Sequence, residues 1–225
     1  MSTKPPHPIL AGVFAFPPNR ATMGGTAYFI VDKDSTGSPA NLLIDAPADD
    51  PALLQFMADR GGVRHWVITH RGASGAAKSL QAALQCDVLV QEQEAYLLPD
   101  LPQLVTYQDN YALGSHGEIL WTPGYSPGSA CVYLAQQGGV LFTGRHLLPD
   151  RDGQLQPLRF SKTFHWPRQL RQVERLQTRF APDTLAYACP AANTGFLRWQ
   201  RVVKEAYRQL QAIDITQLKD QTALL

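Results

Sequence analysis

The chain has 225 residues, of which 44% are hydrophobic and 17% charged, and its formal net charge is +1. These values are typical of a globular protein with a sizeable core, and so small a net charge gives no electrostatic reason to expect nucleic acid or an anionic membrane as a partner. No apolar run approaches the roughly 20 residues needed to span a bilayer.

The cysteines and the N-terminal residues favour a cytoplasmic protein. Cys86, Cys131 and Cys189 are widely spaced and odd in number, which predicts reduced, buried thiols instead of a disulfide framework. Residues 1–8 lack the apolar segment of a secretory signal. They are rich in proline, and we expect them to be flexible.

The first half of the chain is predicted to alternate between strands and helices. A first strand is expected over residues 9–16, and strands over 27–31 and 41–45 flank a turn rich in Ser, Gly and Pro, so they are expected to pair as a hairpin. Asp50 followed by proline is typical of a helix start. A strand over 65–69, a helix over 76–84 and a strand over 88–90 are expected next.

The second half is predicted to be mostly strands, closed by two helices. In order these are an irregular excursion (97–117), a strand (118–121), a hairpin (131–134 with 140–143), a polar loop (149–163), a helix (167–179), a strand (184–187) and a long basic helix (196–213). Arg201, Lys204 and Arg208 recur at helical spacing in the last helix and predict a basic face, which is either solvated or a docking surface. We see no internal repeat and no linker, so we predict one domain over 1–225.

One stretch carries the strongest functional signal. Residues 67–75 read Val-Ile-Thr-His-Arg-Gly-Ala-Ser-Gly, so that His70 ends a strand and small residues lead into a helix. The loop after a strand and before a helix is a frequent place for metal and anion ligands. A site of that kind is therefore predicted here.

Four more motifs occur in a defined order. A strand ends on Asp45, residues 122–129 read Thr-Pro-Gly-Tyr-Ser-Pro-Gly-Ser, residues 141–145 read Leu-Phe-Thr-Gly-Arg, and residues 189–193 read Cys-Pro-Ala-Ala-Asn. Together with the His70 stretch they resemble the metallo-β-lactamase family. Its motifs at these places read Thr-His-x-His-x-Asp-His, Thr-Pro-Gly-His-Ser-Pro-Gly-Ser, Leu-Phe-Thr-Gly-Asp and Pro-Gly-His-Gly.

The resemblance covers about residues 27–197 and implies an α/β fold. In that family it is a four-layer αββα sandwich, in which two sheets pack face to face with helices outside. Function does not follow from the fold alone.

The resemblance also implies where a metal would bind, and the residues there are mostly unsuited to it. By this alignment the family's ligand positions are His70, Gly72, Ser74, Gly75, Tyr125, Arg145 and Ala192. Only the first keeps a ligand of the expected type, because Gly and Ala have no donor atom and Arg is a permanent cation that repels a metal. A catalytic zinc needs about three protein ligands. We therefore expect no zinc and no other metal cofactor.

The predicted ligand-binding residues are those of the former metal site: Asp45, His70, Ser74, Tyr125, Arg145 and His146. His70 is either a residual ligand or a histidine satisfied by hydrogen bonds near Asp45. Arg145 either holds an anion in place of the lost metal or forms an ion pair with Asp45.

The remaining candidates also have two interpretations. Tyr125 is either a general acid or stacking group, or a filler of the space left by imidazole and metal. His146 is either a new ligand or base, or a surface residue. Cys189 is either a nucleophile with a histidine as its base or a packing residue.

We predict a protein that has lost its zinc site and that binds a small anion, another small ligand or a protein, as a pseudoenzyme. The anion would lie between Arg145, His70, Ser74 and Tyr125, helped by N–H groups of the glycines that precede the helix. The alternatives are a hydrolase of the family's thioester- or ester-cleaving type with a rebuilt site, and a structural subunit of a larger assembly. Nucleic acid and membrane are not expected partners, and a homo-oligomer stays open.

Overall fold

The computed structural model describes residues 4–114, 117–198 and 200–224. Their contacts divide the chain into two units, Met1–Gln108 and Asp109–Leu225, and each unit is built around its own sheet. A single domain over 1–225 stays a prediction, since one domain can contain two such units.

The first unit holds a seven-stranded sheet whose strands follow chain order. They are β1 (His7–Leu10), β2 (Val13–Ala15), β3 (Tyr28–Ile30), β4 (Leu42–Ile44), β5 (His65–Val67), β6 (Asp87–Gln91) and β7 (Leu104–Tyr107). Neighbours are antiparallel from β1 to β4 and parallel from β4 to β7. The predicted hairpin is confirmed, because Phe29 of β3 lies opposite Leu43 of β4.

Two helices of eight residues each pack against this sheet, α1 (Pro51–Ala58) and α2 (Ala77–Leu84). The predicted start of α1 is confirmed, since the Asp50 carboxylate accepts a hydrogen bond from the amide of Ala52 at 2.8 Å. Met57 of α1 and Leu80 of α2 are buried in one cluster with Trp66 of β5. Burying each such side chain contributes about 1.5–3 kcal/mol.

Three expectations for the first unit are wrong. The strand expected over 9–16 is two strands with a turn at Gly12, whose φ is +70°, and β1 already begins at His7, within the segment expected to be flexible. Residues 1–3 of that segment lie outside the described residues. The excursion expected to be irregular contains β7, since Leu104 and Val105 pair with the buried strand β6.

The second unit holds a six-stranded sheet of order β15-β14-β11-β10-β9-β8 and a two-stranded ribbon, β12 with β13. The strands are β8 (Tyr111–Ala112), β9 (Gly117–Trp121), β10 (Ala130–Leu134), β11 (Val140–Gly144), β12 (Leu148–Pro149), β13 (Leu155–Gln156), β14 (Tyr187–Pro190) and β15 (Val203–Lys204). The predicted hairpin of β10 and β11 is confirmed, with Val132 opposite Phe142.

The helices of the second unit are α3 (Trp166–Arg179), α4 (Ala206–Gln211) and α5 (Ile215–Leu218). Helix α3, which is predicted over 167–179, buries Val173 and Leu176 in one cluster with Leu141 of the sheet. None of the helices in the described part of the chain has both the length and the apolar character needed to cross a bilayer.

The long basic helix expected over 196–213 is wrong. A 3-10 turn, Thr194–Leu197, is followed by β15, which pairs with β14, and α4 begins only after Glu205, whose φ is +51°. Val203 is buried against Ala188 across this pairing. Tertiary packing of a β-branched residue therefore overrides the helical pattern, and Arg201, Lys204 and Arg208 do not share a helical face.

Smaller corrections concern two other segments of this unit. The polar loop expected over 149–163 contains the ribbon of β12 and β13, which closes around Asp150, whose carboxylate accepts from the amides of Asp152 and Gln154. The strand expected over 184–187 begins only at Tyr187, as β14.

Candidate ligand site

Asp45 is held rigidly at the end of β4. Its backbone adopts the left-handed region, with φ of +61°, which is uncommon for a residue other than glycine and frequent at functional sites. The buried carboxylate accepts hydrogen bonds from the amide of Thr69 at 2.9 Å and from its hydroxyl at 2.8 Å. This arrangement fixes the backbone between β5 and His70.

His70 is buried, with 2% of its surface exposed. Its Nδ1 accepts a hydrogen bond from the amide of Gly72 at 3.1 Å, so in the neutral ring Nε2 carries the hydrogen. A metal-binding histidine needs a bare nitrogen toward the metal, and it usually donates from the other one. The geometry therefore favours the structural interpretation of His70, although this partner is Gly72 and not Asp45. The amide of Gly72 is also not available to an anion, which corrects that part of the predicted anion site.

The two glycines at former ligand positions stand in confined places. A Cβ at Gly72 would lie 2.2 Å from the terminal methyl group of Met23, and a Cβ at Gly75 would lie 2.8 Å from the Cβ of Ala46. Gly75 also has φ of +52°, which disfavours any larger residue. A side chain with donor atoms at position 72 would therefore require the flexible end of Met23 to move, whereas one at position 75 would require the loop itself to shift.

Ser74 is half-buried and lines a cavity of about 420 Å³ at the start of α2. Lys78 and Ser79 of the helix and Leu98 of the following segment line the same cavity. The residue before the helix, Ala76, provides no side-chain cap.

Tyr125 lies in the loop between β9 and β10, which is rigid. The hydroxyl groups of Ser126 and Ser129 are 2.9 Å apart, and the Ser129 hydroxyl accepts from the amide of Ser126 at 2.7 Å. The Tyr125 ring is 5% exposed and meets Phe160 edge to face, with 6.4 Å between the ring centroids. The ring is thus held in place by its packing, and its role as an acid, a stacking group or a filler stays a prediction.

Arg145 follows β11 and is half-buried. Its guanidinium carbon lies 5.8 Å from the centre of the Tyr125 ring, within the range of a cation–π interaction. Ala192, at another former ligand position, is buried and has no donor atom. This part of the second unit therefore presents a fixed positive charge on an aromatic ring.

His146 is 1% exposed, so its predicted surface placement is wrong. Among the described residues neither ring nitrogen has a hydrogen-bond partner. Its backbone carbonyl accepts from the side-chain amide of Gln169 at 2.8 Å. Burial lowers the pKa of His146 to about 3, because the charged ring would lose its hydration. A histidine with this pKa is too weak a base for general-base catalysis near neutral pH.

The cysteines are free and buried, as predicted. Burial raises the pKa of Cys131 to about 12 and raises that of Cys189 as well. Because the thiolate is the reactive form, the packing interpretation of Cys189 is favoured over that of a nucleophile.

The donor set does not fit a zinc ion. Within the described residues, no group of three or more His, Cys, Asp or Glu side chains is placed to hold a metal. At the former ligand positions three residues have no donor atom, and a fourth is the cation Arg145.

Sequence reasoning missed two features of these loops. The methyl group of Met23 over Gly72 comes from a distant segment, and no local signal indicates it. The burial of His146 did have a signal, since Leu147 and Leu148 follow it directly and both are fully buried.

Comparison with solved structures agrees with this architecture. No sequence family and no curated protein matches the chain. An archaeal metallo-β-lactamase superfamily protein from Sulfolobus tokodaii is 14% identical over 95% of this chain and 89% of its own, with a TM-score of 0.63. ETHE1 from Myxococcus xanthus is 18% identical over 90% and 85%, with a TM-score of 0.62. A metallo-β-lactamase family protein from Thermus thermophilus is 17% identical over 91% and 78%, with a TM-score of 0.60.

At these identities the likeness concerns the fold. The protein is of the mixed α/β class, as predicted. Its chain has the metallo-β-lactamase fold, which confirms the resemblance seen in the motifs.

Proposed function

We propose that this metallo-β-lactamase-fold protein is a pseudoenzyme that works without a metal ion and binds a small anionic ligand through Arg145. The observation that carries the proposal is the construction of the loop after β5. His70 is the only former ligand position that still holds a histidine, and its ring accepts a hydrogen bond from the Gly72 amide. The methyl group of Met23 lies where a side chain at position 72 would begin.

We infer an anionic ligand from the positive charge of Arg145. The guanidinium of Arg145 is permanently positive and suits carboxylate, sulfate or phosphate oxygens. Its position beside the Tyr125 ring restricts its freedom, so less entropy is lost when an anion binds. The wider site that also includes His70 and Ser74 combines residues of both units and stays a prediction.

Metal content tests the first half of the proposal. We expect substoichiometric zinc, iron and manganese in protein purified without chelator, because the donors are missing. Since a metal bound only to the folded state would raise the midpoint of unfolding, EDTA should leave the melting temperature unchanged. Stoichiometric metal that is lost in His70→Ala, or a clear decrease in the melting temperature with EDTA, would contradict the proposal.

The same preparation separates the two alternatives. A hydrolase with a rebuilt site would turn over thioesters, β-lactams or phosphodiesters above background, and we expect no such turnover. A structural subunit would co-purify in an assembly, which size-exclusion chromatography with mass measurement detects.

Anion binding tests the second half. We expect saturable stabilisation of the parent by sulfate or phosphate at millimolar concentrations in a thermal-shift titration. Arg145→Ala should lose this effect, and Arg151→Ala, which removes an exposed arginine from the turn after β12, should keep it. Equal binding by Arg145→Ala, or no saturable binding by the parent, would show that Arg145 is not the anion ligand.

A further inference from the structure

Helix α3 carries four arginines along one side. Arg168, Arg171, Arg175 and Arg179 are spaced by three or four residues, which in an α-helix places side chains above one another on one face. The last three are exposed and Arg168 is half-buried, while Leu170, Val173 and Leu176 are buried on the other side of the helix. We call these four residues the arginine stripe.

The stripe keeps a net positive charge when its acidic neighbours are counted. Arg179 forms an ion pair with Glu118 of β9. Within the part of the chain that the structure describes, Arg168, Arg171 and Arg175 have no carboxylate within salt-bridge distance. The one acidic residue of the helix, Glu174, follows Arg171 by three residues and therefore lies beside it on the helix surface, although the two side chains are not within salt-bridge distance.

A groove runs beside the stripe and has one aromatic wall. It has a volume of about 210 Å³, and among its lining residues are Asn110, Trp121, Gln172, Arg175 and Arg179. Trp121 is held by its amide, which donates to the Asn110 side chain at 3.0 Å, and by its indole N–H, which donates to Pro127 at 3.1 Å. The aromatic wall of the groove is therefore ordered in the absence of a partner.

We propose that the arginine stripe and this groove dock an acidic segment of a partner protein. Charge complementarity identifies the partner, since arginine binds carboxylates through two parallel hydrogen bonds. A helical segment with glutamate or aspartate at every third or fourth position matches the spacing of the stripe, because both helices rise 1.5 Å per residue. Trp121 is half-buried, and the guanidinium of Arg168 lies over its ring, so the ring contributes by fixing Arg168 of the stripe in place.

Single-stranded nucleic acid is an alternative polyanionic partner for the arginine stripe, and two observations disfavour it. Bases stack on open aromatic faces, but the guanidinium of Arg168 already lies 5.0 Å over the Trp121 ring. The stripe is also short, about 16 Å at 1.5 Å per residue, and the net charge of +1 provides no wider positive field for a phosphate backbone. This inference does not rest on the anion site at Arg145.

Fluorescence anisotropy with two labelled probes tests the proposal. The first probe is a peptide with glutamate at every third and fourth position, and the second is an oligothymidylate of equal negative charge. The test variant is Arg171→Glu with Arg175→Glu. The control is Arg151→Glu with Lys219→Glu, which changes the net charge equally at exposed positions outside α3.

We expect the parent to bind the peptide more tightly than the oligothymidylate, and more weakly as salt is added. The test variant should lose about tenfold or more in affinity for the peptide, because positions 171 and 175 would then repel the glutamates of the peptide that the two arginines attract. The control should stay within about twofold of the parent. Absence of peptide binding, an equal loss in the control, or tighter binding of the oligothymidylate would each overturn the assignment.

Discussion

Acidification from about pH 7 to about pH 4 is expected to remove about 3 kcal/mol of folding stability through His146 alone. The folded protein holds the ring neutral because it is buried, which lowers the pKa of His146 to about 3. In the unfolded chain the ring takes up a proton below about pH 6.5. Between these two values the unfolded state binds more protons, so stability falls as the pH falls.

The variant His146→Leu should abolish this contribution. Leucine has a similar volume and cannot be protonated, and the hydrogen bond from Gln169 is kept, since it goes to the backbone carbonyl. Near neutral pH the variant should be as stable as the parent, or more stable by up to about 2 kcal/mol. The reason is that it removes two buried nitrogens for which the described residues provide no partner.

Chemical denaturation at the two pH values measures the effect. Carboxylates also titrate in this range, so the informative quantity is the difference between the parent and His146→Leu. The exposed His7 provides the control, and His7→Gln should lose as much stability on acidification as the parent. An equal acid-induced loss in His146→Leu and the parent would show that His146 is not the source.

The elements that the sequence predicts best are those whose signals are local. Asp50 and Pro51 mark the start of α1. The helical spacing of Leu170, Val173 and Leu176 marks the buried face of α3. The hairpin of β10 and β11 lies around Gly138 and Gly139, whose φ values of +80° and +94° explain the turn. In each case the determining residues are neighbours in sequence.

In the C-terminal segment, contacts between distant residues outweigh the local sequence signal. Its basic residues repeat at helical spacing, but Val203 is buried beside β14 and forces a strand. Arg201 and Glu205 on either side adopt the left-handed region, with φ of +53° and +51°. The gain from burying valine against a distant strand exceeds the small differences in helix propensity, which amount to less than about 1 kcal/mol per residue.

The candidate site also combines features that residue types predict with features that depend on distant segments. The loss of donor atoms can be read from residue types, because Gly72, Gly75 and Ala192 have none. The position of Met23 over Gly72 and the left-handed turn at Asp45 depend on segments that are far apart in sequence. Residue types therefore predict what the site has lost, and only the folded chain indicates what has replaced it.

Replacing Gly124 by alanine is expected to destabilise the protein by about 3 kcal/mol or more. A Cβ at this position would lie 2.4 Å from the Cα and the Cβ of Gln169, and 2.6 Å from its amide nitrogen. Two of these atoms belong to the backbone of α3, so no change of rotamer relieves the contact. The helix would have to move away from the loop.

The loop and the start of α3 are also joined by hydrogen bonds, which that movement would strain. The Gly124 carbonyl accepts from the amide of His165 at 2.9 Å, and the His165 ring caps the helix by accepting from the amide of Arg168 at 3.1 Å. Losing such a cap costs about 1 kcal/mol. The alanine variant thus combines a steric conflict between backbones with damage to the start of the helix.

Thermal unfolding of Gly124→Ala, with Gly195→Ala as the control, measures this effect. A Cβ at Gly195 would have no atom within 4 Å outside its chain neighbours, so that variant should melt close to the parent. For a protein of this size about 3 kcal/mol corresponds to a decrease of about 6–12 °C in the melting temperature. The close approach between Gly124 and α3 would be contradicted if both variants melted at the same temperature. A large decrease confined to Gly124→Ala would instead tie the stability of α3, and of the arginine stripe on it, to this one glycine.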